Sequence, residues 1–200
     1  LLDSQEISQD KLKMYTTQLK NTLGYTQELL DNLLKWATTQ MKGFMPVPVK
    51  INLAEIVDQI LSSFSDSIAR KQIIIENNIH DQTLVFADRE MLLCVIRNLI
   101  SNAIKFSYAH KTVQLSVRNE NNFKVLCIKD DGIGISQEKL ALMNDTSAQM
   151  VNSSRGTSQE KGNGLGILLC KSFVGLMNGK LFFYSEPGKG TEAKVSLPSV

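Results

Sequence analysis

Apolar residues open the chain on alternating three- and four-residue steps at Leu12, Tyr15, Leu19, Leu23, Leu30, Leu33, Ala37 and Met41. That spacing predicts one long helix whose seam packs on another helix, interrupted at polar Thr26. Gly24 costs such a helix about 1 kcal/mol relative to Ala. Pro46 and Pro48 stop the pattern, so a linker and domain boundary are expected near Gly43–Lys50, dividing residues 1–45 from 46–200.

Beyond the linker the period changes repeatedly. Asn52 and Glu55 stand at N-cap and N3 spacing ahead of an apolar stripe at Ile56, Val57, Ile60, Leu61, Phe64 and Ile68, which predicts one amphipathic helix. The β-branched run Gln72–Asn77 and the stretch Thr83–Phe86 read as strands, and Asp88 caps a helix running to Phe106. Thr112–Arg118 and Phe123–Lys129 read as strands joined by a turn at Asn119–Asn122. Ser136 opens a short helix, Asp145–Lys161 is a long polar loop, and Leu165–Met177 is helical. Lys180–Tyr184 and Glu192–Leu197 form a closing hairpin around Pro187–Gly190. Uneven alternation, with adjacent strands expected antiparallel, favours an α+β fold, a two-layer α/β sandwich.

Composition narrows the partners. At 42% hydrophobic, 21% charged and a formal charge of +2, the chain has no bulk field to attract nucleic acid or an acidic membrane. Cys94, Cys127 and Cys170 are far apart among apolar neighbours, which reads as three buried thiols in a reducing compartment. The sequence has no stretch of the roughly 20 apolar residues a membrane helix needs.

Four local patterns carry candidate chemistry. Asn98, Asn102 and Lys105 share one helix face, opposite an apolar stripe at Leu92, Ile96, Leu99 and Ala103. An amide oxygen there can ligate a hard cation and an ammonium can pair with phosphate; a solvated helix edge is the plainer alternative. Lys129-Asp130-Asp131-Gly132-Ile133-Gly134-Ile135 follows a strand. Asp130 can accept a hydrogen bond from an adenine amine while the glycines admit a base, although an Asp-Gly turn also fits. Gly162-Asn163-Gly164-Leu165-Gly166 opens a helix, where free amides suit phosphate; a flexible hinge is the alternative. It matches neither a dinucleotide fingerprint nor a Walker A loop. Gly188-Lys189-Gly190-Thr191 alone reads as a hairpin turn.

In this order the four patterns resemble the Bergerat-type ATPase domain shared by histidine kinases, DNA gyrase, large heat-shock chaperones and mismatch-repair ATPases. Arg97-Asn98-Leu99-Ile100-Ser101-Asn102-Ala103-Ile104-Lys105-Phe106-Ser107 is similar to the N-box of sensor histidine kinases. Gyrase- and chaperone-type hydrolases, the alternative, would carry Glu at position 98. The resemblance covers residues 50–200, and residues 1–45 resemble the second half of a dimerising helical hairpin, with Leu33-Leu34-Lys35-Trp36-Ala37 near its end.

The resemblance implies an ATP site with Mg2+ on Asn102, Asn98 in support, Lys105 on phosphate and Phe106 near adenine. Asp130 would read the adenine amine, with Gly132 and Gly134 shaping the pocket and Thr191 lining it. Gly162, Gly164, Leu165 and Gly166 would cover the triphosphate. It further implies a homodimer through the hairpin, a response-regulator receiver domain as partner, and a cytoplasmic domain of a membrane-anchored bacterial receptor.

Three departures stand out. Asp131 stands where Asn is frequent, a change the site should tolerate. The Phe-rich box expected before the polar loop is reduced to Leu142 and Met143, and the helical stub lacks the acceptor histidine. His80 lies between two short strands with no helical pattern, and His110 sits in a turn. The acceptor is expected upstream of Leu1, which leaves the chain able to bind ATP and unable to phosphorylate itself.

Overall fold

The structure is a computed structural model that describes residues 45–145, 157 and 165–200, Leu165 by its backbone alone. Of residues 1–44 it describes Gln9, Lys11, Leu12, Tyr15, Thr16, Leu19, Leu23, Leu30, Leu34 and Ala37, all helical. Contacts divide the chain into two compact units, Leu1–Phe44 and Met45–Val200. In the first, Leu12, Tyr15, Leu19, Leu23, Leu30 and Leu34 are all exposed. Leu33 and Met41 of the expected seam lie outside the described residues.

The second unit contains strands β1 (Pro48–Asn52), β2 (Ile74–Asn78), β3 (Leu84–Asp88), β4 (Thr112–Glu120), β5 (Phe123–Asp130), β6 (Lys180–Glu186) and β7 (Gly190–Pro198). Its helices are α1 (Leu53–Ser63), α2 (Ser65–Lys71), α3 (Arg89–Phe106), α4 (Gln137–Asn144) and α5 (Leu165–Leu176). One five-stranded sheet has the order β2-β4-β5-β7-β6, and β1 and β3 form a separate antiparallel pair. Helix α3 packs on β5 and β7 and touches both α1 and α5. The core between the layers is built from fully buried Ile56, Ile60, Leu92, Ile96, Ile100, Leu115, Leu126, Ile128, Leu169 and Leu197. This is the expected two-layer α+β arrangement.

Local chemistry explains where the elements begin. Asp88 caps α3: its Oδ1 accepts from the amides of Glu90 and Met91, both at 3.1 Å. Its Oδ2 accepts from the Val47 amide at 2.9 Å, which ties the start of the unit to the same carboxylate. Asn52 caps α1 through the Ala54 amide at 3.2 Å. Glu55 accepts from the Asn52 side-chain amide at 3.1 Å and does not complete the expected capping box through the cap's backbone.

Two expectations need correction. The single helix expected through Ile68 is two, broken at Phe64, whose φ of −105° and ψ of 7° leave the helical region. The break follows Ser62 and Ser63, whose hydroxyls donate to the carbonyls of Asp58 at 2.9 Å and Ile60 at 2.7 Å. Such back-bonding competes with the helix ladder. The strands are not all antiparallel either: β2 runs parallel to β4, reached by a crossover through β3 and α3.

Helix α4 shields the outer edge of the sheet. The Asn144 side-chain amide donates to the Phe183 carbonyl at 2.8 Å, and its Oδ1 accepts from the Phe183 amide at 2.9 Å. One side chain thus takes the place of a sixth strand at the middle of β6. Removing it leaves two half-buried backbone groups to find water. Asn144→Ala is expected to cost about 1–2 kcal/mol, read from the midpoint of urea unfolding; an unchanged midpoint would show that the edge is solvated without cost.

Candidate functional site

The site forms where β5 ends. Asp130 is the last residue of β5, paired with Val113 of β4 on one side and Thr191 of β7 on the other. The chain then turns sharply and runs between two walls. On the first wall, Ser107 bridges Gly132, and the Ile133 amide donates to the Phe106 carbonyl at 3.2 Å. On the second, the Gly188 amide donates to the Ile133 carbonyl at 2.8 Å, and the Ile135 amide to Ser185 Oγ at 2.9 Å.

The approach is too close for side chains. A Cβ on Gly132 would overlap the Phe106 carbonyl and lie 2.6 Å from Asp130 Oδ1. A Cβ on Gly134 would overlap the Glu186 carbonyl, and φ there is 68°. Gly190, at φ 88°, lies equally tight against the Asp130 carbonyl.

Asp130 is only 5% exposed, and its Oδ1 has no hydrogen-bond partner. Burial pushes its carboxyl from the ordinary 3.8 to about 7; the amides of Gly132 and Thr191 pull the other way, and the neighbouring Asp131 charge adds to the rise. Ser107 is fully buried, and its Oγ is likewise unpartnered. Both orphaned atoms belong to residues that abut Gly132. Native interiors rarely leave such atoms without a partner, so a polar ligand edge fits here.

Helix α3 brings the Asn row to the same place. Asn98 is half-buried; its Nδ2 donates to the Cys94 carbonyl at 2.9 Å and lies 3.6 Å from Cys94 Sγ. Its Oδ1 faces Gly166, where a Cβ would overlap it. Gly166 therefore brings the first turn of α5 onto Asn98. Asn102 is half-buried and has no side-chain hydrogen bond among the described residues. Lys105 Nζ lies 5.1 Å from the centre of the Phe106 ring, and both side chains are half-buried.

The sequence-chosen residues thus fall into two clusters joined through the end of α3. Asp130, Gly132, Gly134, Thr191 and Phe106 meet at the β5 turn, while Asn98, Asn102, Lys105 and Gly166 line α3 and the start of α5. Gly162, Gly164 and the side chain of Leu165 lie outside the described residues. Met143 is buried and Leu142 exposed, so one residue of the reduced Phe-rich box does pack. His80 and His110 are exposed in turns.

Sequence reasoning missed Ser107, Gly190 and Ser185. The first two stood inside quoted motifs but signalled only a helix end and a hairpin. Ser185, whose Oγ donates to the Gly190 carbonyl at 2.7 Å and lies 3.0 Å from Thr191 Oγ1, carried no local signal at all.

Known proteins resemble this chain. The family model described as histidine kinase-, DNA gyrase B- and HSP90-like ATPase matches residues 87–200. The adaptive-response sensory kinase SasA of Prochlorococcus marinus is 30% identical over 199 residues, covering 98% of this chain and 51% of the relative. The sensor histidine kinase RcsC of Escherichia coli is 26% identical over 203 residues, 99% of this chain and 21% of its own length. The chain thus spans about half of the first relative and about a fifth of the second. Among solved structures, the Acinetobacter baumannii histidine kinase AdeS matches at a TM-score of 0.72 and 17% identity, over 97% of this chain and 86% of its own. Full-length ShkA in complex with AMPPNP matches at 0.73 and 19%, over 100% of this chain and 41% of its own. At those identities the structural matches speak for the fold.

The raised carboxyl of Asp130 has a consequence for stability. Between the ordinary 3.8 and about 7, the folded chain keeps a proton that the unfolded chain has released. Stability therefore falls as pH rises through that window. Asp130→Asn removes the effect. The nucleotide-free variant is expected to be more stable than the parent at pH 8, by on the order of 4 kcal/mol, with the two curves converging below pH 4. Thermal unfolding followed against pH checks this, and parallel curves would mean that Asp130 is solvated.

Proposed function

The chain belongs to the histidine kinase-, DNA gyrase B- and HSP90-like ATPase family, and from that premise we propose that it is the ATP-binding catalytic part of a sensor histidine kinase. It transfers the γ-phosphoryl of Mg-ATP to a histidine on a protein, for relay to a response regulator. The observation that carries the reading is the buried, unpartnered Asp130 Oδ1 at the glycine-lined end of β5. An adenine amine is a donor of the right kind for it, and Gly132 and Gly134 let a flat base lie against the backbone. Phe106 supplies an apolar face beside it, and Thr191 lines the same side.

The phosphates fall to α3. Lys105 pairs with phosphate, and Asn102 offers one amide oxygen to a magnesium ion. No cluster of three or more His, Cys, Asp or Glu stands ready to hold a metal among the described residues. The protein thus gives few ligands and leaves the rest to phosphate oxygens and water, as magnesium sites beside nucleotides do. Magnesium, when bound, neutralises charge on the β- and γ-phosphates. Asn98, held by Cys94 and pressed by Gly166, keeps the row in register.

Transfer to a protein is preferred over hydrolysis for a chemical reason. An amide at position 98 cannot take a proton from water, so the site lacks the general base that a carboxylate there would provide. Neither histidine of the 200 residues lies on a helix, so the acceptor must be presented by another segment or another chain. The exposed leucine row of residues 12–34 suits a second helix of a dimerising hairpin. No helix among the described residues is long and apolar enough to cross a membrane. Residues 1–45 as the second half of that hairpin, a homodimer formed through it, and a cytoplasmic position beneath a membrane anchor complete the reading.

Titration calorimetry with AMPPNP, with and without magnesium, tests it. Asp130→Asn is expected to weaken binding at least about tenfold while the fold survives, and unchanged affinity removes Asp130 from the pocket. Asn102→Ala should erase most of the magnesium dependence; an equal loss without magnesium contradicts the ligand role. Steady ATP hydrolysis by the chain, abolished in Asn98→Ala, would replace the kinase reading with a gyrase- or chaperone-type hydrolase.

A further inference from the structure

The last turn of α3, which carries Asn102, Lys105 and Phe106, ends without a local cap. Ser107 follows in extended conformation, with φ −63° and ψ 145°, and no glycine turns the chain back. The final carbonyls nevertheless all have partners. That of Ala103 accepts from the Ser107 amide at 3.0 Å, and that of Phe106 from the Ile133 amide. The two between them are held from outside the motif. Lys71, the last residue of α2, donates through Nζ to the Ile104 carbonyl at 3.1 Å and the Lys105 carbonyl at 2.7 Å. The same ammonium donates to Thr157 Oγ1 at 2.8 Å.

Thr157 closes the arrangement. Its amide donates to the Lys105 carbonyl at 3.2 Å, and its hydroxyl lies 3.0 Å from that carbonyl and 2.8 Å from the carbonyl of Ser107. Among the described residues the ammonium meets acceptors 33, 34 and 86 positions away in sequence. Lys71 is half-buried, and its own carbonyl accepts from the His110 amide at 3.1 Å, which fixes its backbone against the loop leaving α3. A cation at a helix C-terminus also meets the negative end of the helix dipole. A surface lysine with one exposed partner would contribute little. This one ties three distant segments at one point.

We propose that Lys71, with Thr157, is a positioning residue of the nucleotide site that fixes the last turn of α3 and so holds Lys105 and Asn102 toward the phosphates. This rests on the reading of the site as an ATP site. The clamp acts on one end of the ligand. Asp130 is held by β4 and β7, and the Phe106 carbonyl by Ile133, so the adenine end keeps its frame when Lys71 is lost. The phosphate end does not, because the Lys105 carbonyl is the shared acceptor of Lys71 and Thr157.

The test is a comparison of two ligands on the 200-residue chain. Calorimetry is run with magnesium–AMPPNP and with adenosine on the parent, Lys71→Met, Lys71→Arg, Thr157→Val and the Lys71→Met/Thr157→Val double variant. Lys71→Met is expected to weaken AMPPNP about tenfold, the value of a lost charged hydrogen bond, while adenosine binding stays within about twofold on the same scale. Lys71→Arg, which can still donate to carbonyls, should recover most of the loss. The double variant should fall well short of the product of the single effects, since both act through one carbonyl. Equal losses for both ligands, or none, overturn the clamp, as does failure of Lys71→Arg to recover. Thr157→Val deletes only a hydroxyl and decides between the same outcomes if Lys71→Met does not fold. A parent chain that binds neither ligand removes the ATP site itself, an outcome distinct from parent binding with indifferent variants.

Discussion

The molecule is organised by a backbone approach too close for side chains. The turn after β5 is pressed between the end of α3 and the β6–β7 hairpin, so that Gly132, Gly134 and Gly190 each stand where a Cβ would strike a main-chain atom. Everything proposed for the site depends on that compression. It brings the Asn row of α3 up to the end of the central strand, and it seals Asp130 from solvent without satisfying both of its oxygens. A wider turn would let water reach the carboxylate, and the group would become an ordinary surface aspartate.

The same compression explains how α3 ends. A helix usually stops with a local device, most often a glycine that turns the chain and recaptures the last carbonyls. Here those carbonyls are taken by Ile133 of the β5 turn, Lys71 of α2 and Thr157 of the polar loop. The helix end is thereby a product of tertiary structure. Its geometry responds to any of three segments, and the side chains it carries are those read as phosphate and metal contacts. Stability and ligand geometry are linked through one turn of helix.

This separates what the sequence disclosed from what it hid. The Asp88 cap, the amide row on one face of α3 and the closing hairpin were legible because each is set by neighbours within a few residues. The break at Phe64 was hidden behind a continuous apolar stripe: periodicity registers Ile56 through Ile68 but not the serine hydroxyls that take carbonyls from the ladder. The parallel pairing of β2 with β4 was hidden because alternation tells which face a residue presents, not which strand lies beside it. Of the site, Asp130 and its glycines announced themselves. Ser107, Ser185 and Lys71 did not, since Gly132, Ile135 and Thr157, which they meet, lie 25, 50 and 86 positions away and no spacing rule spans such distances.

A buried carboxylate with an idle oxygen is costly. Leaving a buried polar atom unpaired costs about 1–3 kcal/mol, and burial has already driven the carboxyl up to about 7. Packing alone gives no reason to keep an acid there, because an apolar residue of similar size would be more stable. The cost is recovered only when a donor arrives from outside the fold, and the recovered energy then appears as affinity for that donor. Asp130 therefore argues for a ligand more strongly than any of the glycine motifs does. Glycines say that something flat can approach; the unpaired acceptor says what its edge must carry.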